Sequence, residues 1–235
     1  MSDRMEGPNA PKELYRALGS EVNPDRPILT GDVFENVDVL DTDGSTTKRT
    51  VMILDHPCSL RKGTKLVPRL LTAEVRRSQQ GPWDEGFLNR MFLPAPFPGA
   101  DGEKKPCAAF FDSCYHVSPE QLEAATRIAC LTTRGINLML QRRVKHFSRV
   151  TVATHKFNEA NAGVFEEADM LEDWCFEREI EGVKLSDAIE EFNTWIREDN
   201  GSGMRQDLLK DDQYRSSVRQ EMNARIKELR LQGRA

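Results

Sequence analysis

Three residues that could do chemistry sit close together in Lys48-Arg49-Thr50-Val51-Met52-Ile53-Leu54-Asp55-His56-Pro57-Cys58. An arginine offers a planar fork of donors that matches a phosphate. A histidine exchanges protons near neutral pH, and a cysteine is a nucleophile or a soft metal ligand. A second pair follows in Cys114-Tyr115-His116. If the two segments were neighbours, His56, Cys58, Cys114 and His116 could form a tetrahedral zinc site. Cys58 could also pair with His56 or His116 as a thiol and its base. The spacing is not that of a zinc knuckle, and Pro57 restricts ligand geometry. The plainer reading has a turn cysteine, a buried Cys114 and hydrogen-bonded histidines, so no metal or cofactor is expected.

The elements that must position these groups can be read from pattern. Thr50–Leu54 is a short apolar, β-favouring run that ends at His56-Pro57, which predicts a strand buried on both faces. Ile28–Val39 alternates apolar and polar residues and predicts a half-buried strand, with a Gly/Asp-rich hairpin loop from Asp41 to Ser45. Lys65–Arg77 reads as a third strand bent at Pro68, Arg90–Leu93 as a short strand and Cys107–Val117 as another. Residues 1–9 read as a disordered leader, and Pro11–Leu18 as a short helix. Gly81–Gly102 is rich in Pro and Gly and reads mostly as loop, with Trp83 as its one exposed-aromatic candidate.

The character changes at Ser118-Pro119-Glu120-Gln121, which carries the residues of a capping box and predicts a helix to about Ala129. Further helices are predicted over Arg134–Phe147, Phe165–Glu179, Leu185–Arg197 and Gln213–Leu231, with a strand at Arg149–Ala153. Trp174 and Trp195 fall on apolar helical stripes and read as core. The last helix carries Tyr214, Val218, Met222, Ile226 and Leu229 on one narrow stripe, which predicts docking on the body or on a partner protein. The expected organisation is a leader with a short helix (1–27), a β-barrel domain (28–117), basic helices packed on it (118–158) and a helical extension (159–235).

The net charge of −5 names no partner, but its distribution is uneven. Arg127, Arg134, Arg142, Arg143, Lys145, Arg149 and Lys156 fall in a stretch without a single acid. From Glu159 to Asp199 acids dominate, and the last helix turns basic again. Blocks of this kind either bind phosphate backbones or are solvated faces whose opposite charges meet inside the fold. The five cysteines are odd in number and irregularly spaced, and the N-terminus lacks an apolar signal core. Both argue for a cytoplasmic chain with reduced thiols, and no stretch is long enough to span a bilayer.

Gly31-Asp32-Val33, Arg49-Thr50-Val51-Met52-Ile53-Leu54 and Val67-Pro68-Arg69-Leu70-Leu71-Thr72 resemble the PemK/MazF-like family over about residues 28–77. The resemblance implies an SH3-like barrel and metal-independent RNA cleavage of the kind found in toxin–antitoxin systems. Carried over position by position, Arg49 and Thr72 would act on the scissile phosphate. His56 stands nearby and is a better acid or base than any arginine. Two departures stand out: the family's Pro after the Arg is Thr50 here, and Asp55-His56-Pro57-Cys58 replaces its Ser-Pro exit. Lys48, Arg61, Lys62, Arg69, Arg142, Arg143, Lys145 and Arg149 are the expected phosphate contacts.

The expected architecture is therefore α+β, a small barrel followed by helices, and the expected partner is RNA or another nucleic acid. A homodimer would also fit this class. The alternative is a non-enzymatic interaction module of a phage-defence or mobile-element assembly, docking its partner through Tyr214–Leu229.

Overall fold

The computed structural model describes residues 4–84, 88–94, 97 and 105–232. It is α+β, and the chain divides into two compact units.

The first unit comprises residues 1–22, 29–60 and 66–160. Its strands are β1 (Tyr15–Leu18), β2 (Val33–Leu40) and β3 (Thr46–Ile53). Next in the chain is a two-stranded hairpin, β4 (Arg61–Lys62) and β5 (Lys65–Leu66), of which residues 61–65 belong to the second unit. Then come β6 (Leu70–Arg77), β7 (Arg90–Leu93) and β8 (Cys107–Val117). The short helix α1 (Pro119–Glu123) leads into β9 (Thr126–Leu131), and α2 (Thr133–Ser148) follows. One antiparallel sheet of seven strands runs β1-β9-β2-β3-β6-β8-β7. Its end strands, β1 and β7, are not paired with each other, so among the described residues the sheet is open rather than a closed barrel.

The Gly31-Asp32 pair has a structural reason. Gly31 has φ +79°, and a Cβ there would meet Leu131 at 2.9 Å, so only glycine fits. The Asp32 carboxylate is fully buried, accepts from Leu29 N at 3.0 Å and lies 3.4 Å from Arg127. Of the register irregularities in the sheet, two bear on the site. One falls between Phe34 and Val37 in β2 and places Asn36 at φ 62°. The other lies between β6 and β8, where Ala73 faces Cys114 but Glu74 faces Phe110. Bulges of this kind re-aim the side chains beside them.

Several local expectations are corrected. Pro11–Leu18 is not a helix: a single 3-10 turn (Pro11–Glu13) leads into β1. The helix begun at Ser118 does form its capping box, with Ser118 Oγ accepting from Gln121 N at 3.3 Å and Gln121 Oε1 from Ser118 N at 2.7 Å. It ends at Glu123, however, and β9 follows, inserted between β1 and β2. Lys65–Arg77 is two strands broken by a turn at Pro68. Residues 149–153 form no strand; Arg149 instead adopts φ 63° to end α2. The leader is anchored from Met5, which is buried, and from Glu6, whose carboxylate accepts from Thr154 N at 2.8 Å. Of the Gly81–Gly102 loop, residues 85–87, 95–96 and 98–102 lie outside the described residues.

The second unit comprises residues 23–28, 61–65 and 161–235. It holds most of α3 (Thr154–Glu179), with α4 (Leu185–Ile196), α5 (Arg205–Leu208) and α6 (Asp212–Gln232). Its core contains Trp174 stacked on Trp195, with ring centroids 5.5 Å apart, and Phe192 against both. The acidic α3 and basic α6 meet in ion pairs. Arg219 bonds Glu166 and Asp173 at 2.7 Å each, and Arg230 bonds Glu177 and Glu181. Here the blocks of opposite charge meet inside the fold.

Candidate functional site: a cationic cleft on the sheet

Successive side chains on a strand point to opposite faces. Arg49 on β3, Thr72, Glu74 and Arg76 on β6, and Phe110 and Tyr115 on β8 therefore share one face, because Val51 faces Glu74, Thr72 faces Tyr115 and Glu74 faces Phe110. Beside that face, where the β3–β6 pairing ends, lies a cleft of about 580 Å³ lined by Arg49, Glu74 and Arg76 and by Lys48, Thr50, Val75, Arg77 and Cys107, which alternate to the other face. Its lining carries four cations and a single carboxylate, a balance that suits a phosphate backbone.

Glu74 is the centre of the polar network. Its two oxygens accept separately from Arg49 Nη1 at 2.9 Å and Arg76 Nη1 at 3.1 Å. The other end of the Arg49 fork, Nη2, bonds both oxygens of Asp41 at 3.0 and 3.1 Å. The hydrogen bond to Asp41 is the main reason that the Arg49 guanidinium is held above its ordinary range, with Glu74 adding to it. The Thr47 hydroxyl and Arg49 in turn hold Asp41 below the usual carboxylate range. Arg49 also lies 5.7 Å from the Tyr115 ring centroid, Arg76 lies 3.9 Å and Arg90 5.0 Å from that of Phe110. Burial, aided by the Glu74 charge and opposed by Arg49, pushes the Tyr115 phenol above its usual range. It therefore keeps its proton at neutral pH and can donate it.

The expected catalytic trio does not assemble in this cleft. Arg49 lines it, but Thr72 is wholly buried and its hydroxyl donates to the Tyr115 carbonyl at 3.1 Å. No phosphate reaches it, and it supports β8 instead. His56 is not among the cleft-lining residues. It precedes a 3-10 turn (Pro57–Ser59), and its Nδ1 lies 2.9 Å from Cys58 Sγ.

The expected phosphate contacts are likewise divided. Lys48 lines the cleft and pairs with Asp38 at 3.1 Å. Lys62, Arg69 and Arg149 are exposed and Lys145 is half-exposed. Arg61 donates to the Thr64 and Ile28 carbonyls, and burial lowers its pKa. Arg142 is wholly buried: it donates to the carbonyls of Trp83 and Arg90 and lies 4.6 Å from the Trp83 ring centroid. Arg143 donates to the Leu54 carbonyl. Arg61, Arg142 and Arg143 are thus engaged with backbone carbonyls, and the burial of Arg142 removes it from any surface. Trp83 packs edge-on against Phe92 and is not an exposed stacking platform.

His56, Cys58, Cys114 and His116 are not gathered into one cluster: among the described residues no group of three or more His, Cys, Asp or Glu is placed to hold a metal ion. Of the two dockings expected for the α6 stripe, on the body or on a partner, burial fits the first: Val218, Met222 and Ile226 are buried, Leu229 lines a cavity in the second unit and, of the five, Tyr214 alone is exposed. That cavity, about 400 Å³, is ringed by Asp187, Glu190, Glu191 and Glu198 and is the wrong sign for phosphate. No described helix is long and apolar enough to cross a membrane.

Sequence reasoning missed Asp41, Glu74, Arg76 and Tyr115. The period of two along Thr72, Glu74 and Arg76 was a usable signal, whereas the register that brings Tyr115 opposite Thr72 is a non-local pairing that no single strand reveals. No protein-family model matches the chain, and no curated protein sequence matches it significantly.

Proposed function

We propose that this chain binds RNA at the Arg49–Glu74–Arg76 cleft and cleaves the strand through its own 2′-OH. The observation that carries the reading is the single carboxylate held between two guanidinium groups in an open, otherwise cationic cleft. Cleavage by an internal hydroxyl needs a base, an acid and a cation for the charge that builds on phosphorus. Glu74 takes the 2′-OH proton. Arg49 and Arg76 leave Glu74 and grip the equatorial oxygens as the phosphorane forms. Tyr115, which does not itself line the cleft but whose ring centroid lies 5.7 Å from the Arg49 guanidinium carbon, returns a proton to the departing 5′ oxygen. Thr72 positions Tyr115 and does not touch substrate. No step uses a metal.

The resemblance of Gly31–Leu54 and Val67–Thr72 to the PemK/MazF-like family supports the same reading, with Arg49 in the family's phosphate role. Under it, the open sheet is a divergent SH3-like scaffold. Glu74 replaces Thr72 and His56 as the acting group.

The test is incubation of the full chain with end-labelled single-stranded RNA in EDTA, beside Arg49→Ala. Cleavage by the wild type that the substitution abolishes is the expected result. Binding that weakens with salt, without cleavage, would keep the cleft as an RNA site and remove the chemistry. The absence of both binding and cleavage would overturn the reading.

A further inference from the structure

Outside the cleft, the turn after β3 places a nucleophile against a base. Cys58 is exposed, and His56 Nδ1 lies 2.9 Å from its sulfur. The same nitrogen accepts from the Cys58 backbone N–H at 3.4 Å. With Nδ1 accepting from that N–H, the ring proton is assigned to Nε2, the tautomer in which the thiol can donate to Nδ1. The turn is held in place: Pro57 fixes its first residue, Ser59 N donates to the His56 carbonyl at 2.7 Å, and Leu60 is buried behind it.

The other four thiols are placed differently. Cys107, Cys130 and Cys175 are buried. Burial pushes the Cys107 thiol up, and the Cys175 thiol up to about 12. Cys114 is the other exposed cysteine, but its sulfur donates to the Phe111 carbonyl at 3.3 Å, an acceptor that holds the proton and cannot carry it away. Partial burial raises it further.

We propose that Cys58 is a nucleophilic thiol, with His56 as its proton acceptor, that forms mixed disulfides with low-molecular-weight disulfides. His56 Nδ1 takes the thiol proton. The Cys58 thiolate attacks one sulfur of R–S–S–R, a new sulfur–sulfur bond forms, and the old one breaks. The departing thiolate RS⁻ takes the proton from the imidazolium and leaves as RSH. The exchange consumes one disulfide and releases one thiol, with no other oxidant.

The experiment uses the full reduced chain and bis(2-hydroxyethyl) disulfide, a neutral probe that responds to reactivity and not to charge. Capping is followed at neutral pH by intact mass, and each cysteine is located by peptide mapping. Wild type, Cys58→Ser and His56→Asn are compared; asparagine keeps a capping side chain on the turn. Cys58 is expected to be capped first, at least about tenfold faster than Cys114, which is below the usual range for a positioned base. His56→Asn is expected to bring Cys58 to within about threefold of Cys114, and Cys58→Ser to remove the fast phase. Iodoacetamide should rank the same two thiols in the same order. Equal capping of Cys58 and Cys114, or an unchanged rate in a folded His56→Asn, would overturn the proposal. The outcome does not depend on RNA binding.

Discussion

Arg142 lies in the block read from sequence as a phosphate-binding surface, and replacing it with methionine separates the two roles. The guanidinium is wholly buried, donates to the Arg90 carbonyl at 3.3 Å and to the Trp83 carbonyl, and lies 4.6 and 5.6 Å from the Trp83 and Phe92 ring centroids. Methionine keeps the apolar stem and a sulfur for the rings but strips both carbonyls of their donor. A buried carbonyl left unpaired costs about 1–3 kcal/mol. Two of them, less the relief of no longer burying a charge, make a net loss of about 2–4 kcal/mol. For a chain of this size each kcal/mol moves the melting temperature by about 2–4 °C, so Arg142→Met should melt roughly 5–15 °C lower. Burial pushes the guanidinium down only to about 10, so it stays charged throughout the neutral range and the loss should be flat there. The assay is thermal and urea unfolding by circular dichroism, with RNA affinity measured at several salt concentrations well below the transition. The folded variant should keep wild-type affinity and salt dependence. Wild-type melting with weakened RNA binding would refute the reasoning and return Arg142 to the binding surface.

Further outcomes follow from the same geometry. Asp41→Asn removes a carboxylate that competes with phosphate for Arg49. RNA affinity should therefore tighten at low salt in a filter-binding assay, with the gain fading as salt screens the charges; unchanged affinity would mean that phosphate does not seek this fork. Met222→Ala, in the buried α6 stripe, should cost about 2–5 kcal/mol in chemical denaturation; a loss much below that would reopen the stripe as a docking face. Glu6 is partly buried, which raises its pKa, but hydrogen bonds from Thr154 and Arg134 outweigh this and hold it below the usual carboxylate range. Its contribution is therefore present above the unfolded-chain value and lost as pH falls through the folded one. The protection of Thr154 N against hydrogen exchange, relative to the unfolded chain, should fall only as the pH drops below the ordinary carboxylate range, and Glu6→Gln should remove that pH dependence.

Much of the scaffold was legible because it is written in local pattern. The alternation of Ile28–Val39 returned as a strand only from Val33, the apolar run at Thr50–Leu54 as the inner half of β3, the Asp41–Ser45 turn as the loop between β2 and β3, and the helical stripes as α2, α3, α4 and α6, with α3 starting at Thr154 rather than Phe165. β9 was not. Thr126-Arg127-Ile128-Ala129-Cys130-Leu131 follows a well-capped helix start, and only its non-local pairing with β1 and β2 makes it a strand. β1 was hidden in the same way. At the site, Arg49 was legible by its place before an apolar strand. Its real partners were not, since Asp41, Glu74 and Tyr115 reach it through hairpin register, strand parity and a bulge. Basic residues were over-read as surface, because composition does not say which guanidinium groups cap buried carbonyls.

In the proposed reaction Glu74 takes a proton from a ribose 2′-OH in the cationic cleft. A labelled DNA oligonucleotide carrying a single ribonucleotide, incubated in EDTA with wild type and with Glu74→Gln, tests that step. Cleavage is expected only 3′ of the ribonucleotide, leaving a 2′,3′-cyclic phosphate. Glu74→Gln should bind at least as tightly but cleave about 10²–10⁴-fold more slowly. Cleavage of the all-DNA strand, or an undiminished rate in Glu74→Gln, would contradict that step.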